Sequence, residues 1–387
     1  MEKILIVDDE PDVEILMKQR FRQQLREKQF AFFFAQNGLQ ALEVLSKEKD
    51  IRLLISDINM PEMDGLTLLK HISEKFPEVI PIIVSAYGDM NNIRQAMNLG
   101  AFDFVTKPIN FEDLNITIKK TFSHIQNLIE SEKTKDRLEG ILHELNVASQ
   151  IQQSILPKGF IDDKSLQLSA KMTPAKEVGG DFYDFFWINN EKTKLGIVIA
   201  DVSGKGVPAA LFMTVSRTLI RANASQNTSP GVAFTKVNTD LEKDNTNMMF
   251  VTAFYAILDL STGVLTYTNA GHNPPHVIRK DKIDAITEKH GMALGVMGDL
   301  EYKDSIITLE KGDLLFLYTD GVTEAETQDG SLFTDQRLID SLNQHQSLAT
   351  SELINTIGSE VVNFAAGKPQ SDDITMLAVR FFGKTNN

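Results

Sequence analysis

The first part of the chain alternates short apolar runs with longer stretches in which apolar residues recur every three or four positions. The apolar runs predict β-strands at residues 3–7, 53–56, 81–84 and 104–106. The wider spacing predicts helices at residues 13–25, 39–45, 66–76 and 93–99. Strands that alternate with helices in this way are typical of an α/β doubly wound parallel sheet with helices on both faces. We therefore predict one such domain at residues 1–121.

A long stretch without proline follows at residues 111–157 and ends at Pro157. Its apolar residues keep helical spacing in two stripes, which consist of Phe122, Ile125 and Ile129, and of Leu138, Ile141 or Leu142, Leu145, Ala148, Ile151 and Ile155. The stripes are out of phase across the charged residues 130–137, and such a phase break locally overwinds or unwinds a coiled coil. We interpret residues 122–157 as a coiled-coil-like signalling linker that forms a homodimer. The alternative is an amphipathic helix packed on its own domain.

The rest of the chain contains more predicted strands than helices. The strands are expected at residues 166–170, 182–188, 194–200, 250–259, 264–269, 306–309, 314–319 and 375–381. The helices are expected at residues 209–222, 231–241, 334–342 and 351–364. The turn at residues 261–263 predicts a hairpin between the fourth and fifth of these strands. This pattern predicts a second α/β domain at residues 158–387, with its helices on the outside of the sheets.

Composition limits the class of protein. Of the 387 residues, 42% are hydrophobic and 24% are charged, which is usual for a soluble globular protein. No apolar stretch approaches the roughly 20 residues that cross a bilayer, and the N-terminus lacks a signal-peptide pattern. The net charge of −14 argues against broad nucleic-acid binding, and zero cysteines exclude disulfides and thiolate metal sites. We therefore expect a cytoplasmic protein that binds neither nucleic acid nor membranes.

Charged side chains follow the predicted strands of the first domain, at the ends where doubly wound sheets bind ligands. Asp8 and Asp9 come after the first strand, Asp57 after the second and Lys107 after the fourth. A carboxylate is a poor nucleophile towards a phosphoryl donor unless a metal ion and a fixed cation offset the charge. Asp8 and Asp9 supply metal ligands, and Lys107 supplies the cation. A strand end or a surface lysine would explain each residue alone, but not the set in register.

This arrangement, with Ile58-Asn59-Met60-Pro61, Ser85-Ala86 and Lys107-Pro108 in order, resembles a two-component receiver domain. The resemblance implies that Asp57 is the phosphoacceptor and that a sensor histidine kinase is the partner. It implies a Mg²⁺ site formed by Asp8, Asp9, Asp57 and the Asn59 carbonyl. It also implies a switch formed by Ser85, Phe104 and Lys107.

Four short acidic motifs are spaced across the C-terminal half, at residues 179–181, 200–204, 319–321 and 371–375. Most of their aspartates follow a predicted strand, which holds a carboxylate rigidly, and neighbouring glycines let a ligand approach closely. Converging carboxylates repel each other unless hard cations neutralise them, and oxygen ligands suit magnesium or manganese. We interpret these motifs as a two-metal hydrolytic centre.

The order of these motifs resembles the metal-dependent (type 2C) serine/threonine protein phosphatases over roughly residues 160–382. Residues 269–275 and 291–295 match the sporulation-stage-II branch of that family. The resemblance implies a core of two sheets flanked by helices. It implies two Mn²⁺ or Mg²⁺ ions held by the bridging Asp201 and by Asp181, the Val202 carbonyl, Asp320 and Asp372. Asp373 is then a candidate for orienting a ligand or capping the turn.

Two more residues have alternative interpretations. Lys176 lies five residues before Asp181, where better-known family members carry a phosphate-binding arginine, and a solvated surface lysine is an equal alternative. His272 lies among tight-turn residues, so we interpret it as fixing a loop by hydrogen bonds rather than as a general acid.

Together the two resemblances predict a response regulator whose output is a serine/threonine protein phosphatase. The resemblance to the branch implies a phosphorylated anti-sigma-factor antagonist protein as the substrate, in a partner-switching pathway. Two other functions stay open from the sequence: a non-catalytic docking protein that is switched by phosphorylation, and a phosphatase for a small molecule. The intact set of acidic motifs disfavours the first of these.

Overall fold

The structure, a computed structural model, describes residues 1–224, 228–243, 245–280 and 282–383. The chain separates into two compact units, Met1–Gly140 and Ile141–Asn387. The division lies inside the predicted linker, residues 122–157. The last four residues of the predicted domain 158–387 lie outside the described residues.

The first unit is built on five parallel strands in the order β2-β1-β3-β4-β5. The strands are β1 (Glu2–Val7), β2 (Phe30–Ala35), β3 (Ile51–Asp57), β4 (Ile80–Ala86) and β5 (Asp103–Lys107). The helices are α1 (Pro11–Arg20), α2 (Arg22–Arg26), α3 (Gly38–Lys47), α4 (Gly65–Lys75), α5 (Met90–Asn98) and α6 (Phe111–Ile155). The predicted doubly wound sheet is confirmed, and its β2-β1-β3-β4-β5 order brings the ends of β1, β3 and β5 to one edge.

One local prediction in the first unit was wrong, and one strand was missed. The helix predicted at residues 13–25 is interrupted at Phe21, whose backbone (φ −98°, ψ 22°) leaves helical geometry. The Phe21 ring packs against Phe30 and Phe32, with centroids 6.1 and 5.7 Å away, so tertiary packing outweighs the helical pattern. Strand β2 was missed because its phenylalanine-rich sequence lacks the alternation that identifies a half-buried strand.

Helix α6 runs without interruption for 45 residues, as predicted. Leu114, Ile118 and Ile125 are buried in the first unit. Further along, most members of the second predicted stripe are exposed in the single chain: Leu138 by 56%, Ile141 by 46%, Leu142 by 40% and Ile151 by 60%. Dimerisation through this helix stays a prediction.

The second unit contains two antiparallel sheets with helices outside them. Its strands are β6 (Ile161–Asp162), β7 (Leu166–Thr173), β8 (Phe182–Trp187), β9 (Lys194–Val202), β10 (Val251–Asp259), β11 (Val264–Ala270), β12 (His276–Arg279), β13 (Lys282–Ala285), β14 (Ser305–Thr308), β15 (Leu314–Tyr318) and β16 (Ile374–Phe381). Its helices are α7 (Val207–Ala224), α8 (Pro230–Glu242), α9 (Asp320–Thr323), α10 (Thr334–His345) and α11 (Thr350–Ala365). The two-sheet core that we predicted for this domain is confirmed.

The sheets have the orders β14-β11-β10-β9-β8 and β13-β12-β15-β16-β7-β6. Successive side chains of β15 point to opposite faces of its sheet. Leu315 and Leu317 pack in the core that includes the other sheet. Phe316 and Tyr318 pack in a second core with α10 and α11. The predicted β10–β11 hairpin is confirmed, whereas the short strands β12 and β13 were missed. In the part of the chain that the structure describes, every helix is too short or too polar to cross a membrane.

Candidate metal and catalytic sites

The first acidic site lies at the shared edge of β1, β3 and β5. Ligand oxygens of Asp8, Asp9 and Asp57 all lie within 4.8 Å of one another. Lys107 Nζ is 2.6 Å from Asp57 Oδ2 and 3.2 Å from Asp8 Oδ2, so a lysine inside the site faces two of the three acids. Glu10, which the sequence reasoning missed, lies 3.4 Å from the same nitrogen.

One lysine offsets part of the negative charge of this site. Burial raises the pKa of Asp8 above its ordinary value, while a backbone hydrogen bond and Lys107 oppose that change. Burial lowers the pKa of Lys107, but its hydrogen bond to Asp57 and the charges of Asp57 and Asp8 leave it raised. Lys107 is therefore protonated at neutral pH and holds the side chain of Asp57 in place.

The predicted switch residues surround the same edge. Ser85 lies at the end of β4, and its buried Oγ forms no hydrogen bond within the described part of the chain. Phe104 is 37% exposed on β5, next to the lysine strand end. Asn59 follows Asp57 closely, and its N–H lies 3.5 Å from Asp57 Oδ1. A buried hydroxyl without a partner beside Asp57 and Lys107 suits an incoming oxyanion.

The second acidic site lies where the two sheets of the second unit bring their strand ends together. Phe182 pairs with Ala200 in the β8–β9 register, which puts Asp181 beside Asp201. Thr319 N donates to Thr375 O over 3.0 Å, which holds the turn that carries Asp320 beside the turn that precedes β16. Each sheet thus contributes aspartates: Asp181 and Asp201 from one, and Asp320, Asp372 and Asp373 from the other.

Burial and the charges of neighbouring acids both raise the pKa values of aspartates in this site. Burial, followed by the Asp320 and Asp372 charges, raises the pKa of Asp201 to about 7. Burial and the charges of Asp201 and Asp373 raise the pKa of Asp181 well above its ordinary value. Burial, Glu324 and Asp372 likewise raise the pKa of Asp320. These carboxylates belong to one electrostatic cluster.

This donor set fits hard divalent cations. Its side chains offer only carboxylate oxygens, which Mg²⁺ and Mn²⁺ prefer, and their charges repel each other without a cation. Unlike the first site, these acids do not form a group of three within 4.8 Å among the described residues. A wider spacing is expected when acids serve two ions about 3.5–4 Å apart rather than one.

Asp373 differs from the other four aspartates because both of its side-chain oxygens accept hydrogen bonds from backbone N–H groups. Its Oδ2 accepts from Gly180 N at 2.6 Å and from Asp181 N at 3.3 Å, and its Oδ1 accepts from Ala175 N at 2.8 Å. A Cβ on Gly179 would lie 2.4 Å from Asp373 Oδ2, so this close approach requires glycine. The geometry matches a residue that fixes the loop before β8.

Thr319 and Lys205 form three other contacts in the second site. Thr319 Oγ1 donates to Asp181 Oδ2 at 2.7 Å. Lys205 Nζ lies 2.8 Å from Asp372 Oδ2 and also contacts the Ser371 carbonyl. Lys176 is exposed. The sequence reasoning missed Lys205 as a site residue; it lies between Gly204 and Gly206, both of which have positive φ in the structure.

The sequence reasoning also missed Gln152, which lies in the last turn of α6 and is buried. Its Nε2 donates to Gly179 O at 2.6 Å, and Gly179 N donates to its Oε1 at 3.0 Å. The amide thereby satisfies both backbone groups of the glycine two residues before Asp181. The end of α6 therefore supports the loop that carries this acid.

His272 occupies the loop position that we predicted for it. Its Nδ1 lies 2.9 Å from Thr252 Oγ1, and its N–H donates to Asn269 Oδ1 at 2.7 Å. Burial lowers the pKa of His272 to about 4. A neutral histidine at neutral pH suits a loop anchor.

Comparison with known proteins assigns both halves of the chain. Residues 191–382 match Stage II sporulation protein E (SpoIIE), and residues 4–119 match the response regulator receiver domain. Protein IcfG from Synechocystis sp. is 30% identical over 375 residues, which cover 87% of this chain and 58% of IcfG. Phosphoserine phosphatase RsbU from Bacillus subtilis is 30% identical over 273 residues, which cover 70% of this chain and 79% of RsbU.

A solved structure supports the fold of the second unit. The SiaA-PP2C domain of Pseudomonas aeruginosa matches with a TM-score of 0.57 and 23% identity, over 63% of this chain and 98% of that domain. This likeness concerns the fold.

Proposed function

Because the chain belongs to the family of the phosphoserine phosphatase RsbU, with a receiver domain followed by a type 2C phosphatase domain, we propose that it is a phosphorylation-regulated protein phosphatase. It hydrolyses phosphoserine or phosphothreonine on an anti-sigma-factor antagonist protein in a partner-switching pathway. The observation that carries the proposal is the convergence of Asp181 and Asp201 from one sheet with Asp320 and Asp372 from the other, where burial and the neighbouring acids raise the pKa of Asp201 to about 7.

In the receiver, Asp57 accepts a phosphoryl group from a sensor histidine kinase. A bond forms between an Asp57 oxygen and phosphorus as the bond from phosphorus to the donor nitrogen breaks. Lys107, 2.6 Å from Asp57, offsets the charge on the transferring group, and the Ser85 hydroxyl, which has no partner among the described residues, can donate to it. Asp8, Asp9, Asp57 and the Asn59 carbonyl would hold Mg²⁺.

In the phosphatase domain, Asp201 would hold both metal ions, with Asp181, the Val202 carbonyl, Asp320 and Asp372 as the other ligands. Two bound Mn²⁺ or Mg²⁺ ions would supply an activated water for in-line attack on phosphorus and would stabilise the leaving seryl oxygen. Thr319 orients Asp181 through its 2.7 Å hydrogen bond, and Asp373 holds the loop before β8. Lys205 neutralises part of the charge on Asp372. The exposed Lys176 is available to bind the phosphate of the substrate.

The regulation that we propose runs through α6. Two copies of the exposed stripe around Leu138, Ile141 and Ile151 would pack as a coiled-coil-like homodimer. Phosphorylation of Asp57 would change the receiver surface near Phe104 and bias the packing of this helix. We expect activation. Replacing Leu138 and Leu145 with glutamine should remove the response to beryllofluoride, an acyl-phosphate mimic, while activity without it persists. A wild-type response in the double variant would mean that the helix is only a tether.

The test of the catalytic proposal is an assay of the full chain with manganese. The substrates are an aryl phosphate, a phosphoserine peptide and a phosphorylated antagonist protein, each with and without chelator. We expect metal-dependent hydrolysis, with the highest kcat/KM on the protein. No hydrolysis of any substrate would favour the non-catalytic docking function, and preference for a small phosphate would favour the small-molecule phosphatase.

A further inference from the structure

Lys205 lies in the short loop between β9 and α7. The residues on either side of it, Gly204 and Gly206, have positive φ values of 86° and 76°, a conformation that favours glycine. The start of the loop is fixed by hydrogen bonds, because Ser203 N donates to Phe250 O and Phe250 N donates to Ser203 Oγ, both at 2.9 Å. The backbone that carries Lys205 is therefore held in a tightly shaped loop.

The ammonium group of Lys205 reaches the second acidic site. Its Nζ is 2.8 Å from Asp372 Oδ2 and also contacts the Ser371 carbonyl. The hydrogen bond to Asp372 raises the pKa of this group, and the charges of Asp373 and Asp320 add to the effect, while burial opposes it. Lys205 is therefore protonated at neutral pH and faces the acids of the sheet that contains β15 and β16.

One N–H of this ammonium group is left for a ligand. A protonated lysine has three N–H donors. The described part of the chain provides acceptors for two of them, which are the Asp372 carboxylate and the Ser371 carbonyl. The side chain is 41% exposed, so the third donor is open to a molecule that enters the site. An oxyanion suits this donor, because a hydrogen bond between charged groups is about twice as strong as a neutral one.

A second lysine lies beside this one. A Cβ on Gly206 would lie 4.0 Å from Lys176 Cδ, so the side chain of Lys176 passes close to the residue that follows Lys205. The segment before Lys176 is tied to the same site, because Ala175 N donates to Asp373 Oδ1 at 2.8 Å. Two separate loops therefore bring two lysines together beside the acidic site.

We propose that Lys205 binds the phosphoryl group of the substrate by donating its third N–H to a phosphoryl oxygen, with Lys176 as its neighbour in the same site. This inference rests on the proposed function. A phosphoryl group that reaches the acids lies next to Asp372, and the ammonium group of Lys205 is held at that acid.

The charges of the groups in this site support the proposal. Two divalent cations would offset the charges of the four proposed ligand carboxylates. A phosphomonoester adds a charge of about −1.5 to −2 at neutral pH. Lys205 and Lys176 together offset that added charge, and a desolvated anion is bound only where such charge is available.

The test compares Lys205→Gln with wild type in the full chain, loaded with manganese. The probe is phenylphosphonate, which carries the charged oxygens of a phosphomonoester but has no ester bond to hydrolyse. Calorimetric titration should show about tenfold weaker binding of phenylphosphonate to the variant, because one charge-assisted hydrogen bond is lost. The KM for an aryl phosphate should rise by a similar factor.

Two further variants serve as controls for the titration. Lys205→Arg keeps a cation with unused N–H donors and should bind phenylphosphonate within about threefold of wild type. Lys282→Gln breaks another exposed lysine–aspartate pair, with Asp284 on β13, and should behave as wild type.

Manganese binding separates a phosphoryl contact from a role in holding Asp372. The affinity for Mn²⁺ is measured without any phosphorus ligand, from the electron paramagnetic resonance signal of the free ion. Lys205→Gln should bind Mn²⁺ at least as tightly as wild type, because it removes a positive charge beside a proposed metal ligand. A loss of Mn²⁺ affinity as large as the loss of phenylphosphonate affinity would overturn the proposal, because Lys205 would then act by placing Asp372.

The titration also separates this proposal from the proposed function. Phenylphosphonate binding needs no turnover, so it tests Lys205 even if wild type hydrolyses no substrate, a result that would contradict the proposed function alone. Unchanged phenylphosphonate affinity in Lys205→Gln would overturn the proposal whatever the hydrolysis assay shows. Absence of phenylphosphonate binding to manganese-loaded wild type would overturn it as well.

Discussion

The two acidic sites use the same residue type but balance its charge differently. In the receiver, Lys107 approaches Asp57 and Asp8 to within 2.6 and 3.2 Å, so a cation belongs to the site itself. In the phosphatase domain, Lys205 is the only described cation that forms an ion pair with one of the aspartates, and it pairs with Asp372 at the edge. Asp181 and Asp201 are left facing each other. A lysine of the chain thus offsets part of the charge in the first site, whereas little of the charge in the second is offset by the chain itself.

The largest predicted effect concerns Asp57, the proposed nucleophile of the receiver. Asp57→Asn should abolish labelling by a small phosphodonor with magnesium, because Asp57 is the acid held by Lys107. Phosphate incorporation and beryllofluoride binding measure the effect, and Asp50→Asn, an exposed aspartate before β3, is the control. Labelling that survives in Asp57→Asn would mean that another residue accepts the phosphoryl group.

A second test addresses the acid between the two sheets. Asp201→Asn should lower hydrolysis of an aryl phosphate by on the order of a thousandfold, because metal-ion catalysis supplies several kcal/mol. Activity is measured over a range of manganese concentrations, with the exposed Asp340→Asn on α10 as the control. Chelation should remove wild-type activity to the same extent. Full activity in the metal-free protein would contradict the two-metal centre.

The contrast between the sites was visible in the sequence only in part. Asp8, Asp57, Asp201 and Asp320 could be predicted because each stands at a strand end, and the strand pattern is local. Lys205 was not identified as a site residue because a lysine between glycines gives no sign of pairing with an acid 167 positions later. The partner of Gln152 could not be predicted either, because its side chain and the Gly179 backbone meet only in the folded domain.

The same reasoning explains the errors in secondary structure. The helical pattern of residues 13–25 is real, but it breaks where the Phe21 ring packs against Phe30 and Phe32. Tertiary contacts of this kind override local propensity. Strand β12 (His276–Arg279) was missed because it is short and directly follows residues 269–275, which look like a turn. Its four residues pair with β13 and β15 only in the folded sheet.

A stability measurement would sharpen the comparison of charges. In metal-free protein, Asp201→Asn should raise the free energy of unfolding of the second unit by about 2 kcal/mol, because it removes a negative charge from a cluster of buried acids. Asp57→Asn should change the first unit by less than about 1 kcal/mol, because losing the contact with Lys107 offsets the relief of repulsion. Thermal unfolding with chelator, read separately for each unit, checks both values. Equal stabilisation by the two variants would show that Lys107 does not balance its site.

The smallest predicted effect concerns how the second site is supported. Gln152→Ala removes both hydrogen bonds to Gly179 and leaves a buried N–H and C=O unpaired, so the loop that carries Asp181 loses its brace. Supporting residues of metal sites typically contribute about ten- to a hundredfold to metal affinity, and we expect the lower end here because Asp373 still holds Gly180. The half-saturating manganese concentration for aryl phosphate hydrolysis should therefore rise about tenfold, while saturating manganese restores most of kcat.

The control is Gln153→Ala, which changes an exposed neighbour in the same turn and should behave as wild type. If Gln152→Ala lowers kcat without changing the manganese requirement, the amide acts on catalysis by a route other than metal binding.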